Sequence, residues 1–152
     1  ALRAEIVRYC GNDLMLYRAD SPESLVRRQE ELWDDVLVKL ARQFGIAFQP
    51  TVGILHQPQP PATIQRLTAL LEAEALLPLT AMNAIMSITG SGLLAVALRY
   101  LLVDAETVWL AAHVDEDHNI ALWCEVEEIT VRREKRRREY DAAVEVLSLT
   151  TS

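Results

Sequence analysis

Apolar residues recur at intervals of three and four along most of the chain, the spacing of one face of an α-helix. The clearest case follows Asp20-Ser21-Pro22-Glu23. Ser21 is placed to cap a helix, Pro22 to occupy its first position and Glu23 to meet the positive end of its dipole. Leu25, Leu32, Trp33, Val36, Leu37, Leu40 and Phe44 then fall on one stripe, and Gly45 ends it. Arg27, Arg28, Glu30, Glu31, Asp35, Lys39 and Arg42 lie mostly on the other side. The stripe makes Trp33 a packing residue and sets Asp34 at its edge, within reach of a Tyr17-Arg18 connector. Upstream, residues 1–10 read as a short helix stopped by Gly11-Asn12.

Beyond Gly45 the period changes. Ile46, Phe48, Val52 and Ile54 alternate weakly, and Pro50 confines that run to an edge or an extended passage. Four of the six prolines lie between Gln49 and Ala62, so a stiff linker over 57–61 separates two helical halves. Thr63 to Ala75 predicts an amphipathic helix with Ile64, Leu67, Leu70 and Leu71 inward. Pro78 opens an apolar helix that runs to about Leu102, with no charge from Ala75 to Leu98. That stretch is long enough to cross a bilayer. Its Thr80, Asn83, Ser87, Thr89, Gly90, Ser91 and Gly92 instead suit the buried centre of a bundle. Gly90 and its small neighbours are expected to let another helix come close, and Leu94 to be core. Asp104 caps a helix through Trp109 and Ala112, Asp115 to Cys124 is polar and then Trp-bearing, and Glu125 to Leu149 forms a long last helix. The expectation is an all-α single domain over 1–152. It is an orthogonal helical bundle around a central apolar helix, with at most a minor extended segment or hairpin near residues 46–56.

The composition agrees with a globular domain: 51% hydrophobic, 24% charged, over 152 residues. A net charge of −7 opposes general affinity for polyanions. Cys10 and Cys124 make no disulfide framework and read as free thiols of a reducing compartment. Arg3, Glu5 and Arg8 interrupt the first residues, which reads as no secretory signal.

Candidate chemistry is sparse. Gly90-Ser91-Gly92 has the glycines of a dinucleotide loop but no strand-helix-strand series around it, so no cofactor is expected. His113, Asp115, Glu116, Asp117 and His118 form the densest group of potential metal ligands, and His113 and Asp117 share a face if this segment is helical. No HExxH or paired-cysteine motif supports them. The group reads as plain surface, a protein-facing acidic patch, or the centre of a small enzyme or metal-binding bundle. Arg132 to Arg138 is a basic run that suits phosphate contacts, the basis of a nucleic-acid-binding alternative. Only Tyr140 follows it as a stacking group. Glu128 and Arg132, and Glu134 and Arg138, stand in the favourable order for four-apart ion pairs, which makes a solvated helix face. No nucleophile elbow occurs.

The segment DLMLYRADSPESLVRRQEELWDD, beginning at Asp13, resembles the mitochondrial and alphaproteobacterial F-type ATP synthase assembly chaperones, the ATP synthase F1 complex assembly factor 2 family. The matching positions are Asp13, Leu14, Tyr17, Arg18, Ala19, Pro22, Leu25, Gln29, Trp33 and Asp34. Gly45, Gly90-Ser91, Asp115-Glu116-Asp117, Ile120, Trp123 and Glu128 extend the resemblance. Asp35 stands where the family has proline, Asn119 where it has glutamine, and Leu101 and Cys124 where it has glycine. The family carries a β-rich N-terminal domain, and this chain resembles its helical C-terminal domain alone. The resemblance implies a chaperone without catalytic residues, cofactor, metal or small-molecule ligand. It implies a holder of the unassembled ATP synthase alpha subunit, shielding the surface that beta later covers. It places partner binding on Glu116, Asp117, Trp123 and Glu128, with no nucleic acid and no membrane insertion. It implies a cytoplasmic location in a bacterium and the mitochondrial matrix in a eukaryote.

Overall fold

A computed structural model describes the backbone of residues 2–53, 55–123 and 127–150, with all side chains among them except those of 120–123 and 127–129. Helix α1 (Leu2–Gly11) buries Ile6 and Cys10. A single 3-10 turn (Leu14–Leu16) leads into β1 (Tyr17–Arg18). Helices α2 (Glu23–Gln29) and α3 (Asp35–Phe44) run on as one rod through a π-helical turn at Glu30–Asp34. That wider turn shifts the phase of the stripe. Gln29, Trp33, Val36, Leu37 and Leu40 are buried, whereas Leu25, Leu32 and Phe44 are only half-buried. Ser21 does not cap this rod. Its hydroxyl turns back to Asp20, and the carbonyl of Pro22 accepts the first turn's Leu25 and Val26 N–H groups.

The extended segment is smaller than its alternation suggests, and it makes no hairpin. Strand β2 (Thr51–Val52) pairs in parallel with β1, Tyr17 opposite Thr51 and Arg18 opposite Val52. A two-residue strand with Pro50 beside it has no sequence neighbour to pair with, so it takes the distant connector. Ile54 lies outside the described residues. Helix α4 (Pro61–Glu72) begins two residues before Thr63 because Pro61 suits the first helical position. Thr63, Leu67 and Leu71 are buried, and Ile64 and Leu70 half-buried.

The long apolar helix is in fact two helices, α5 (Leu76–Thr89) and α6 (Gly92–Arg99). Gly90 takes φ +77°, a left-handed stop that glycine adopts at no steric cost. Ser91 then caps α6, its Oγ accepting from Leu94 N at 3.0 Å. Every residue from Ser91 to Leu98 is buried, so α6 is the centre of the bundle. A Cβ on Gly90 would touch nothing within 4 Å. The close approach is at Gly92, where a Cβ would lie 2.8 Å from Ile6 O and 2.9 Å from Cys10 Sγ. Helix α1 crosses there.

The break is held by a side chain from another part of the chain. Asp13 is fully buried. Its Oδ2 accepts from Leu93 N at 2.9 Å, and its Oδ1 accepts from the Ser91 hydroxyl at 2.6 Å and Met15 N at 3.2 Å. Burial pushes this carboxyl up to about 6, and the hydrogen bonds oppose the rise.

Helix α6 ends in a Schellman motif, with Leu102 N on Ala97 O at 2.9 Å and Leu101 N on Leu98 O at 3.1 Å. The left-handed position is Leu101, at φ +59°, where the family resemblance expects glycine. Asp104 caps α7 (Ala105–Ala112) by accepting from Thr107 N at 2.7 Å. Helices α8 (Val114–Trp123) and α9 (Glu127–Thr150) complete the fold. Helix α9 lies along α5 and buries Tyr140, Ala143 and Leu147. Among the described residues no helix is long and apolar enough to cross a membrane.

Three outcomes test this core. Leu94→Ala is expected to cost about 2–5 kcal/mol in urea unfolding, the range for a truncated core leucine. Leu101→Gly is expected to gain about 1 kcal/mol, because a left-handed non-glycine residue is strained. A lower urea midpoint for Leu101→Gly would show no strain there. Between pH 4 and 6 the folded chain holds the Asp13 proton while the unfolded chain has lost it. Asp13's contribution to stability therefore falls as pH rises through that window, by roughly 3 kcal/mol in all. Subtracting the stability profile of Asp13→Asn from that of wild type isolates the slope, and a flat difference would refute it.

Candidate partner-binding face

The corner formed by α7, α8 and the first half of α9 collects most of the polar residues that the sequence singles out. His113 closes α7, and its carbonyl accepts from Asp117 N at 2.8 Å to begin α8. Its ring is buried, with its centroid 4.0 Å from that of Trp109. Nδ1 lies 2.7 Å from the Trp109 carbonyl and so carries the proton it donates. Burial holds the imidazole pKa below its ordinary value, with Arg133 and Arg136 adding to the effect. His113 is therefore a neutral packing residue at pH 7.

The acidic residues next to it point apart. Asp115 accepts from Gln29 Nε2 at 2.9 Å, toward α2. Glu116 accepts from Arg136 Nη2 at 3.1 Å on both oxygens, and Asp117 pairs with Arg133 at 2.5 Å. Among the described residues no three His, Cys, Asp or Glu side chains converge as a metal site. Trp123 ends α8 and Glu128 stands in the first turn of α9. Their side chains, and all of Cys124, lie outside the described residues.

Half of the basic run of α9, Arg133, Arg136 and Arg137, is half-buried and paired with carboxylates, while Arg132, Lys135 and Arg138 are exposed. Besides Arg133 and Arg136, Arg137 bonds Glu106 at 2.8 Å and Asp141 at 2.9 Å. Its guanidinium sits 5.0 Å from the Trp109 ring centre. No ion pair joins Glu134 to Arg138 among the described residues, and both stand exposed. A groove of about 540 Å³ opens beside the Glu116–Arg136 pair, lined also by Arg132, Lys135 and Glu139.

The connector braces this corner from behind. Gln29 is buried; it accepts from Ala19 N at 2.9 Å while donating to Asp115. Trp33 is fully buried, and its Nε1 donates to Ala111 O at 2.7 Å. Arg18 pairs with Asp34 at 2.8 Å and donates through Nε to Met15 O at 2.6 Å, its guanidinium 5.3 Å from the Trp33 ring centre. Leu94 is fully buried in α6, and Gly90 stands at the turn before it. The Arg18–Asp34 pair is the contact that the position of Asp34 on the stripe anticipated; the roles of Asp13 and Gln29 were not legible from spacing, because each acts on a distant element. A polar cluster about Glu74, which accepts from the Tyr100 hydroxyl at 2.9 Å and pairs with Arg99 at 3.1 Å, left no signal in the sequence at all.

Residues 1–41 match the family described as ATP12 chaperone protein. The whole architecture matches solved structures. Atu1473, a candidate chaperone from Agrobacterium tumefaciens, superposes on 97% of this chain with a TM-score of 0.91 and 36% identity. Atp12 from Paracoccus denitrificans covers 98% with a TM-score of 0.92 and 30% identity, and a mutant of that protein gives 0.92 and 29%. The chain spans 55% of the Agrobacterium protein and 64% of the Paracoccus protein. The segment matched to the ATP12 chaperone family runs through α1, the connector and most of the α2–α3 rod, and the fold that carries it is that of Paracoccus Atp12.

Proposed function

We propose that this chain is an assembly chaperone of the F-type ATP synthase that holds the unassembled alpha subunit and shields the surface beta later covers. It catalyses no reaction in this role. The observation that carries the reading is the superposition of nearly the whole chain on Paracoccus Atp12. The cytoplasm of a bacterium, or the mitochondrial matrix of a eukaryote, is where such a subunit waits. The binding face is the α7–α9 corner. Glu116 and Asp117 serve it by fixing Arg136 and Arg133, and so the setting of α9 against α8. Trp123 and Glu128, at the facing ends of the two helices, supply direct contacts.

Capture of purified alpha subunit from the same organism tests the reading. Binding is expected at low salt and to weaken as salt screens the charged rim. Glu128→Lys is expected to lower affinity about fivefold, the effect of one exposed charge, with an unchanged melting temperature. Equal capture by Glu128→Lys and wild type would remove Glu128 from the face, and no capture of alpha at low salt would refute the function.

A further inference from the structure

Most charge in the α8–α9 corner is already neutralised from within. Glu116, Asp117, Glu106 and Asp141 each hold an arginine of α9. The lining of the groove beside Glu116 carries three cations, Arg132, Lys135 and Arg136, against two carboxylates, Glu116 and Glu139. Arg132 and Lys135 are exposed, with no carboxylate partner among the described residues. They fall at spacings of three and four with Arg136 and Glu139, so all four share one face of α9. This face forms the wall of the 540 Å³ groove beside Glu116. On the same wall the Nε of Arg136 is buried and has no hydrogen-bond partner among the described residues. The groove therefore offers two cations with no ion-pair partner among the described residues, within a chain of net charge −7.

We infer that this groove takes a short extended acidic segment of the client protein. Resting on the proposed chaperone role, this names the chemistry of the segment the chaperone grips. One helical turn separates Arg132 from Lys135 and Arg136, about 5.4 Å along the axis. Alternate side chains on one edge of an extended peptide repeat at about 6.8 Å. A Glu-x-Glu sequence thus sets one carboxylate by Arg132 and the next by Lys135. Dense phosphates fit less well, because Glu116 and Glu139 share the lining and no aromatic side chain among its described residues stacks a base.

The test is fluorescence anisotropy on the 152-residue chain. The probe is a labelled Ser-Glu-Ser-Glu-Ser peptide, set beside its lysine counterpart and a thymidine decamer. Binding of the glutamate peptide alone is expected, weakening at least fivefold between 50 and 300 mM salt. Arg132→Glu/Lys135→Glu is expected to weaken it more than tenfold with an unchanged melting temperature. Glu139→Gln, which removes a repelling carboxylate, is expected to tighten it at least twofold. No peptide binding, equal binding by the double variant, or tighter binding of the decamer would overturn the inference. Alpha-subunit capture separates the two claims. Capture undiminished in the double variant leaves the chaperone role standing and removes the groove. Glutamate-peptide binding that the double variant loses supports the groove even where wild type fails to capture alpha.

Discussion

A carboxylate with no cation beside it organises this fold. Asp13 is buried and meets only neutral donors: the Ser91 hydroxyl and the N–H groups of Leu93 and Met15. The apolar middle of the chain must break at Gly90-Ser91 for α6 to enter the core at an angle to α5. A break inside a core exposes N–H groups that have no helical partner and no water. Asp13 satisfies them from outside the two helices, and the negative charge suits the N-terminus of α6. The same residue starts the 3-10 turn that delivers Arg18 to Asp34 and Ala19 to Gln29. Helix α6, the connector and the α2–α3 rod are thus tied at one point, and the rod's Trp33 and Gln29 carry that tie to α7 and α8.

The family's sequence signature is in this light a bracing system. Asp13, Arg18, Gln29, Trp33 and Asp34 each join elements that local propensity would leave independent. Exposed or half-exposed ion pairs such as Asp117–Arg133 contribute little free energy apiece. Their use in the α8–α9 corner is directional: they fix which side of α9 faces its neighbours. A holding protein needs such fixed geometry at its gripping surface, since every residue ordered only on binding would weaken the hold.

The helices were largely legible because amphipathic periods are strong. The stripe through Trp33, Val36 and Leu40 is an example, and Asp104 announced its own helix. The break at Gly90-Ser91 was not, because a segment apolar on every side has no polar face whose interruption would mark a change of direction. Glycine at a stop followed by serine at a start was the only cue, and small residues suited close packing equally well. Leu101 hid its left-handed backbone for the opposite reason, since leucine is the wrong residue for it and only a comparison with the family's glycine pointed there. The acidic cluster concealed its pairings. Asp115, Glu116 and Asp117 are adjacent in sequence, yet their partners stand 86, 20 and 16 positions away, and composition cannot show a pairing made by folding.

The crossing of α1 over Gly92 also sets the reactivity of Cys10. The thiol faces the glycine so closely that no side chain fits between them. Burial, with the nearby Asp13 charge, raises its pKa well above the usual range and so suppresses the reactive thiolate. An alkylating reagent meets this sulfur only after α1 has lifted from α6. The labelling rate of Cys10, in a chain where Cys124 has been replaced, is therefore a clock for that single motion. It reports how often the first helix leaves the bundle while the rest stays folded.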